Sequence, residues 1–317
     1  DLEYFSITDI VEMESVGSNE EVNIVVQFDR WDGHDAPDMD DESNGDWESA
    51  KRFYIVKDCY GSLSDHEIHS PPVDDLGEIN TGDPAELVSF VEWTMLNYPA
   101  ENYALDIWDH GGGVAGVAYE QSCPEYCYSF GNEPDKLTLP EIDWALDEIT
   151  NGGQDKLDIV GFDACLMSTI EVVEVVYPYA DIMLASEILE PGTGWDYTFL
   201  QMLIDDPDTT PVELGAEIVD SFVAQGIPGA TGFTPSYALS MLDMSNAQVA
   251  IDSFKALNGL VDSTSIVSDL NQVRLHSIHV EPGDSSSAVD LIQLLNNLAL
   301  FTEDPEVRSA AEAASSA

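Results

Sequence analysis

The chain has 317 residues, 44% of them hydrophobic, enough to bury a sizeable core and far from a disordered composition. Nine Lys and Arg stand against 62 Asp and Glu, a formal net charge of −53, which makes nucleic acid a poor partner. No run reaches the roughly 18 apolar residues of a membrane span, and Asp1-Leu2-Glu3-Tyr4 has neither the basic nor the apolar region of a secretory leader.

The acids are spread along the whole length instead of gathered in one tract. That distribution reads as a surface adapted to high salt, because self-repulsion is screened when the Debye length falls to about 3 Å near 1 M. Cation sites or an acidic binding face are the alternative.

Six runs read as strands: 22–28, 52–56, 103–108, 157–162, 181–185 and 237–242. The third and fourth are almost continuously apolar, as expected where helices cover both faces of a sheet. Helical segments alternate with them. The first, 84–97, has Asp83 as N-cap and Pro84 at its first position. The others are 140–149 behind Thr138, 166–176 directly after Cys165, 211–223, 246–260 and 288–300. This alternation predicts an α/β fold, a three-layer α/β/α sandwich with a mostly parallel central sheet. One domain over 1–305 is expected, then an Ala/Ser-rich tail over 306–317, whose end from Ser309 reads as a fraying helix or tail. The acidic stretch 32–48 and the segment 120–136 read as loops. An EF-hand over Asp40, Glu42, Asn44 and Gly45 fails because its twelfth position is Lys51 where a bidentate Glu is needed.

Of four cysteines, Cys59 falls in a predicted strand as a small buried residue. Cys123 and Cys127 could form a local disulfide or half of a metal site, but no second Cys/His pair has zinc spacing. Cys165 remains. It follows the strand ending at Phe162, just as His110 follows the strand ending at Trp108. Taken singly, a strand-end His or a Cys in apolar surroundings is more often structural. Together they form a nucleophile and a base at the edge where α/β sheets assemble sites. Gly111, Gly112 and Gly113 let backbone approach a ligand closely. A helix opening at Cys165 would favour its thiolate.

Trp108-Asp109-His110-Gly111-Gly112-Gly113, then Phe162-Asp163-Ala164-Cys165-Leu166-Met167, then Ala185-Ser186-Glu187 and Glu190 to Tyr197 closely resemble the clostripain family of cysteine peptidases, which is related in fold to caspases and gingipains. The resemblance extends to Asp1-Leu2-Glu3, to the strand ending at Asp29-Arg30, and to Ala288-Val289-Asp290-Leu291. It implies a caspase-like peptidase domain with a His110–Cys165 dyad, and cleavage after Arg or Lys. Asp163 matches the acidic S1 position, and Asp196 is a second candidate. It also implies a strand ahead of Asp1, and maturation in the linker, where Lys136 is the only basic residue between His110 and Lys156. Backbone N–H groups of Gly111 and Cys165 are the oxyanion candidates.

The substrate class is then peptide or protein, in an extracellular or cell-surface setting. No cofactor or metal is called for, with Ca²⁺ left open, and the oligomeric state is not legible. Two other readings stand beside this one: an inactive binding protein on the same scaffold, and another thiol amidase or transpeptidase.

Overall fold

The two strands expected to carry the site both form, and they lie side by side. The computed structural model describes residues 2–30, 44, 47–58, 67–120, 128–129, 133–226, 237–263, 270, 273–279 and 288–317. Cys59, Cys123, Cys127 and most of the 32–48 loop lie outside the described residues. The chain divides into two units, 1–242 and 243–317.

The first unit opens with α1 (Glu3–Val16), β1 (Val25–Asp29), β2 (Ala50–Tyr54), β3 (Pro72–Gly77) and α2 (Pro84–Asn97). It continues through β4 (Ala104–Trp108), β5 (Val117–Glu120), β6 (Tyr128–Ser129), β7 (Glu133–Leu137), α3 (Leu139–Ile149) and β8 (Leu157–Asp163). Then come α4 (Ile170–Val176), β9 (Ala180–Ala185), α5 (Gln201–Asp205), α6 (Pro211–Gln225) and β10 (Ser240–Asp243), which ends at the border of the unit.

The central sheet has the order β10-β9-β8-β4, and both the β4–β8 and the β8–β9 ladders are parallel. The expected sandwich follows from strand alternation. On one face Ile159, Ile182 and Leu184 pack with Trp195, Tyr197 and with Leu214, Ile218 and Phe222 of α6. The opposite face presents buried Val160, Phe162 and Met183, with α4 packed on β9 and α3 packed between α2 and α4. Burying apolar area at about 25 cal/mol per Å² is the main favourable term holding these layers together.

β1, β2 and β3 form a separate antiparallel sheet in that order. The edges of β1 and β4 both line a cavity of about 930 Å³ that reaches Asp106 and His110. Two motifs singled out in the sequence meet here: buried Arg30, just past β1, pairs with Glu3 of α1 and stacks 4.9 Å over the Trp47 ring.

Helix starts follow local chemistry. Asp83 accepts the Ala85 N–H at 2.9 Å, and the carboxylate of Glu141 reaches back to Thr138 N and Oγ1 at 2.9 and 2.6 Å. In the first unit the structure departs from the sequence expectations at several places, and β3 has no counterpart among the predicted strands. α1 has no counterpart among the predicted helices. The 120–136 segment is partly strand, since β5, β6 and β7 form an antiparallel sheet. The helix after Cys165 begins only at Ile170, capped by Thr169, because Leu166 is in the left-handed region with φ 63° and cannot start a helical turn.

The second unit contains α7 (Ala247–Ser263), α8 (Leu291–Phe301) and α9 (Pro305–Ser316). The Ala/Ser-rich end, expected as a fraying helix or tail, is helix α9. Asp304 caps it, and Val307, Ala311 and Ala314 are buried against Leu257, Leu295 and Leu298. Small residues at three- and four-residue spacing give a helix a face that packs closely, which bare composition hides. The border expected at 305 falls inside this unit. Among the described residues, no helix is long and apolar enough to cross a membrane.

Candidate active site

Parallel pairing sets the geometry. Trp108 of β4 is the register partner of Asp163 of β8, so His110 and Cys165 each lie two residues past a matched pair, at one edge of the sheet. The loops that follow touch. A Cβ placed on Gly111 would sit 2.1 Å from the Cys165 carbonyl oxygen, and one on Gly113 would sit 3.0 Å from that of Leu166. Only glycine fits this contact at Gly111, and Gly113 also needs φ +58°.

The His110 loop is a tight reversal. Gly111 bridges Val117, while the flanking bonds run from Gly112 N to Gly116 O at 2.9 Å and from Ala118 N to His110 O at 3.2 Å. The ladder therefore uses the neighbours of Gly111 and leaves its own N–H pointing out of the hairpin, a suitable direction for an oxyanion donor. Asp109 holds φ 144°, unusual for a non-glycine residue, and its Oδ2 accepts the Tyr119 N–H at 2.8 Å. The edge-on Tyr119 ring lies 6.5 Å from the His110 ring. Burial raises the Asp109 pKa.

Cys165 is half-buried. The expected helix N-terminus is absent, and the donor at its sulfur is a main-chain N–H: Glu190 N lies 3.3 Å from Sγ. Glu190 is positioned by the segment before it. Leu166 N donates to Ile188 O at 3.0 Å and Ser168 N to Ser186 O at 2.8 Å. The thiol in turn faces the Glu190 carbonyl oxygen, 3.9 Å from Sγ, so both main-chain groups of Glu190 position the sulfur.

Asp163 is buried under this pair. Its Oδ2 accepts the Trp195 N–H at 2.9 Å and faces the Tyr197 hydroxyl at 3.0 Å, while its own N–H donates to Asp106 Oδ1 at 3.2 Å. Tyr197 also reaches Asp106 Oδ2 at 2.7 Å, and one hydroxyl hydrogen cannot serve two carboxylates at once. The second candidate, Asp196, caps the 3₁₀ turn Tyr197–Leu200 instead of facing the pair. Its Oδ1 accepts Thr198 N at 3.1 Å and Thr198 Oγ1 at 2.5 Å. Lys136 lies inside β7, paired with Tyr119 of β5, its Nζ 4.8 Å over the Tyr119 ring. Cleavage after it would require that hairpin to open.

Four acids to which the sequence reading assigns no role gather around Asp163. Burial raises Asp9 to about 10, with Asp163 and Glu12 adding like charge, and raises Glu12 and Asp106 to about 7. Glu190 is raised by burial and then by Asp163. One signal for Asp106 exists in the sequence: an acid in a strand buried on both faces, at the same parity as Trp108. Asp9 and Glu12 have only helical spacing, on a helix the sequence does not announce. Among the described residues, no group of three or more His, Cys, Asp or Glu converges as metal ligands would.

A family model described as the clostripain family matches residues 1–307. Clostripain of Hathewaya histolytica is 29% identical over 209 residues, covering 62% of this chain and 38% of that protein, so the match spans well under half of the relative's length. Among solved structures, a secreted C11 cysteine protease from Bacteroides thetaiotaomicron in complex with an irreversible peptide inhibitor superposes with a TM-score of 0.65 at 18% identity, over 99% of this chain and 78% of that one. An inactive zymogen C11 protease from Parabacteroides distasonis gives a TM-score of 0.65 at 18% identity, over 99% and 77%. At that identity the likeness is one of fold.

Proposed function

The chain belongs to the clostripain family, and on that premise we propose that it is a cysteine endopeptidase that cleaves after Arg or Lys through a His110–Cys165 dyad. The observation that carries this reading is the β4–β8 register, which brings an imidazole and a thiol to one sheet edge beside a buried carboxylate.

In the proposed reaction the Cys165 thiolate adds to the scissile carbonyl carbon. The Gly111 and Cys165 N–H groups receive the oxyanion. As the C–N bond breaks, His110 gives its proton to the leaving amine, and a thioester remains on Cys165. Water then attacks the thioester, His110 takes the water's proton, and the carboxylic acid product leaves with the thiolate restored. Asp163 is the proposed partner of the cationic P1 side chain, since its carboxylate has no basic neighbour among its hydrogen-bond partners. We further propose that the acidic surface serves high salt and that the protein acts outside the cell. The secreted Bacteroides relative favours the extracellular setting.

Matched fluorogenic peptides with Arg, Lys, Leu or Asp at P1 test the reading. Hydrolysis of the Arg and Lys peptides at least about tenfold faster than the others is expected, the scale of one charge-assisted pair. A preference for Leu or Asp removes Asp163 from its role, and no hydrolysis of any peptide favours the binding-protein reading.

A further inference from the structure

Glu190 touches both halves of the proposed site. Its main-chain N–H donates to Cys165 Sγ at 3.3 Å, while its carboxyl oxygens are sealed from solvent and meet no hydrogen-bond donor. The group its side chain faces is the carboxyl of Asp163, itself 3% exposed. Two buried carboxyls in contact cannot both stay ionised without a cation between them. The main chain on both sides of Glu190 is tied down. Leu166 and Ser168 hold the chain before it through Ile188 and Ser186, and after it Gly194 N closes a turn onto Pro191 O at 3.0 Å. Gly194, with φ +56°, lies so close to Asp163 that a Cβ there would be 2.6 Å from Oδ2.

We propose that Glu190 is a second specificity-determining acid of the P1 pocket, sharing one proton with Asp163 when the pocket is empty and releasing it when a cationic side chain binds. This rests on the reading of the site as one for basic P1 residues. The empty pair carries a single negative charge. A guanidinium or ammonium entering between the carboxyls makes both ionised forms favourable, so the shared proton passes to solvent and the pocket holds two carboxylates around one cation. A neutral side chain supplies no such compensation and meets a protonated pair.

Among the described residues, Asp106 of β4, Tyr197, and Asp9 and Glu12 of α1 act on Asp163, and Cys165 and Asp106 act on Glu190. All the carboxyls among them add negative field, so none removes the reason for a shared proton. Burial and that field hold both Glu190 and Asp163 above the usual carboxylate range.

The test uses the Cys165→Ala protein, which binds without turnover, and benzamidine as the cationic probe. Calorimetric titration at pH 7 in two buffers of different ionisation enthalpy counts protons. Release of close to one proton per bound benzamidine is expected, and none in the Cys165→Ala/Glu190→Gln protein. In the otherwise wild-type enzyme, Glu190→Gln should lower the Arg-over-Leu selectivity in kcat/KM at least about tenfold. Asp163→Asn separates the role of Glu190 from the basic pocket on which it rests. If it abolishes Arg preference while Glu190→Gln does not, the basic pocket stands and the role of Glu190 is overturned. If neither variant alters selectivity, the basic P1 reading itself fails. Should Glu190→Gln not fold, benzamidine binding without proton release in the Cys165→Ala protein overturns the proposal by itself.

Discussion

Trp108 and Asp163 face one another as register partners in the parallel ladder between β4 and β8. Everything at the site follows from that pairing. His110 and Cys165 are far apart in sequence, yet each emerges two residues beyond the same rung. The loop glycines then let the two turns mesh, with Gly111 directly against the Cys165 backbone.

Removing either partner of the proposed dyad should abolish the proposed peptidase activity without unfolding the chain. Cys165→Ala and His110→Ala are expected to lower kcat/KM on an Arg-P1 peptide at least about a thousandfold, since a nucleophile and its base act as a unit. Both residues are only half-buried, so melting temperatures should stay within a few degrees of wild type. Retention of more than a few per cent of activity in either variant contradicts the assignment.

Gly111 should tolerate no side chain. Its added Cβ would lie 2.1 Å from a carbonyl oxygen that cannot rotate away, so Gly111→Ala must push the two loops apart. A destabilisation of about 1–3 kcal/mol and loss of most activity are expected. Gly259→Ala in α7 serves as the control, because nothing lies within 4 Å of its added Cβ. That change should stabilise by about 0.5–1 kcal/mol. Equal behaviour of the two variants in thermal melts and peptide assays would sink the packing argument.

Stability should fall as pH rises towards neutrality. Asp106 and Glu12 have native pKa values raised from 3.8 and 4.5 to about 7, chiefly by burial. The native state therefore holds protons that the unfolded chain has lost. This contribution is fully present below about pH 4 and is lost as pH climbs through about 7. Urea midpoints should decline from about pH 5 to about pH 8, and Asp106→Asn should flatten the decline. A midpoint that rises over this interval is incompatible with these protonated acids.

The net charge of −53 should make stability depend on salt. Screening over about 3 Å at 1 M, against about 10 Å at 0.1 M, relieves repulsion among surface carboxylates. Melting temperature and activity should climb together up to molar KCl. A flat or falling melting temperature between about 0.1 and 2 M would show that the acidity serves another purpose, and recovery at low salt by micromolar Ca²⁺ would identify cation sites.

The legible parts of the fold are those with strong local signals. The strands ending at Trp108 and Phe162 announce themselves by apolar runs, and the helices at Pro84 and Pro211 by proline and a capping side chain. α1 is obscured because its buried positions include Ser6, Asp9 and Glu14, which blur any apolar stripe. The delayed start of α4 depends on a left-handed Leu166, a tertiary demand that no propensity carries. At the site, His110, Cys165 and Asp163 are readable from motifs, whereas Glu190 acts through a main-chain N–H that any residue could supply. Its side chain matters only because the fold buries it beside Asp163.

The most direct test of the dyad is covalent labelling with a peptidyl-arginine chloromethylketone, followed by intact-mass and peptide mapping. One adduct per chain on Cys165 is predicted, formed in parallel with complete loss of activity and blocked by prior benzamidine. Absence of an adduct, or an adduct on any other residue, would contradict a Cys165 nucleophile positioned beside a pocket for basic side chains.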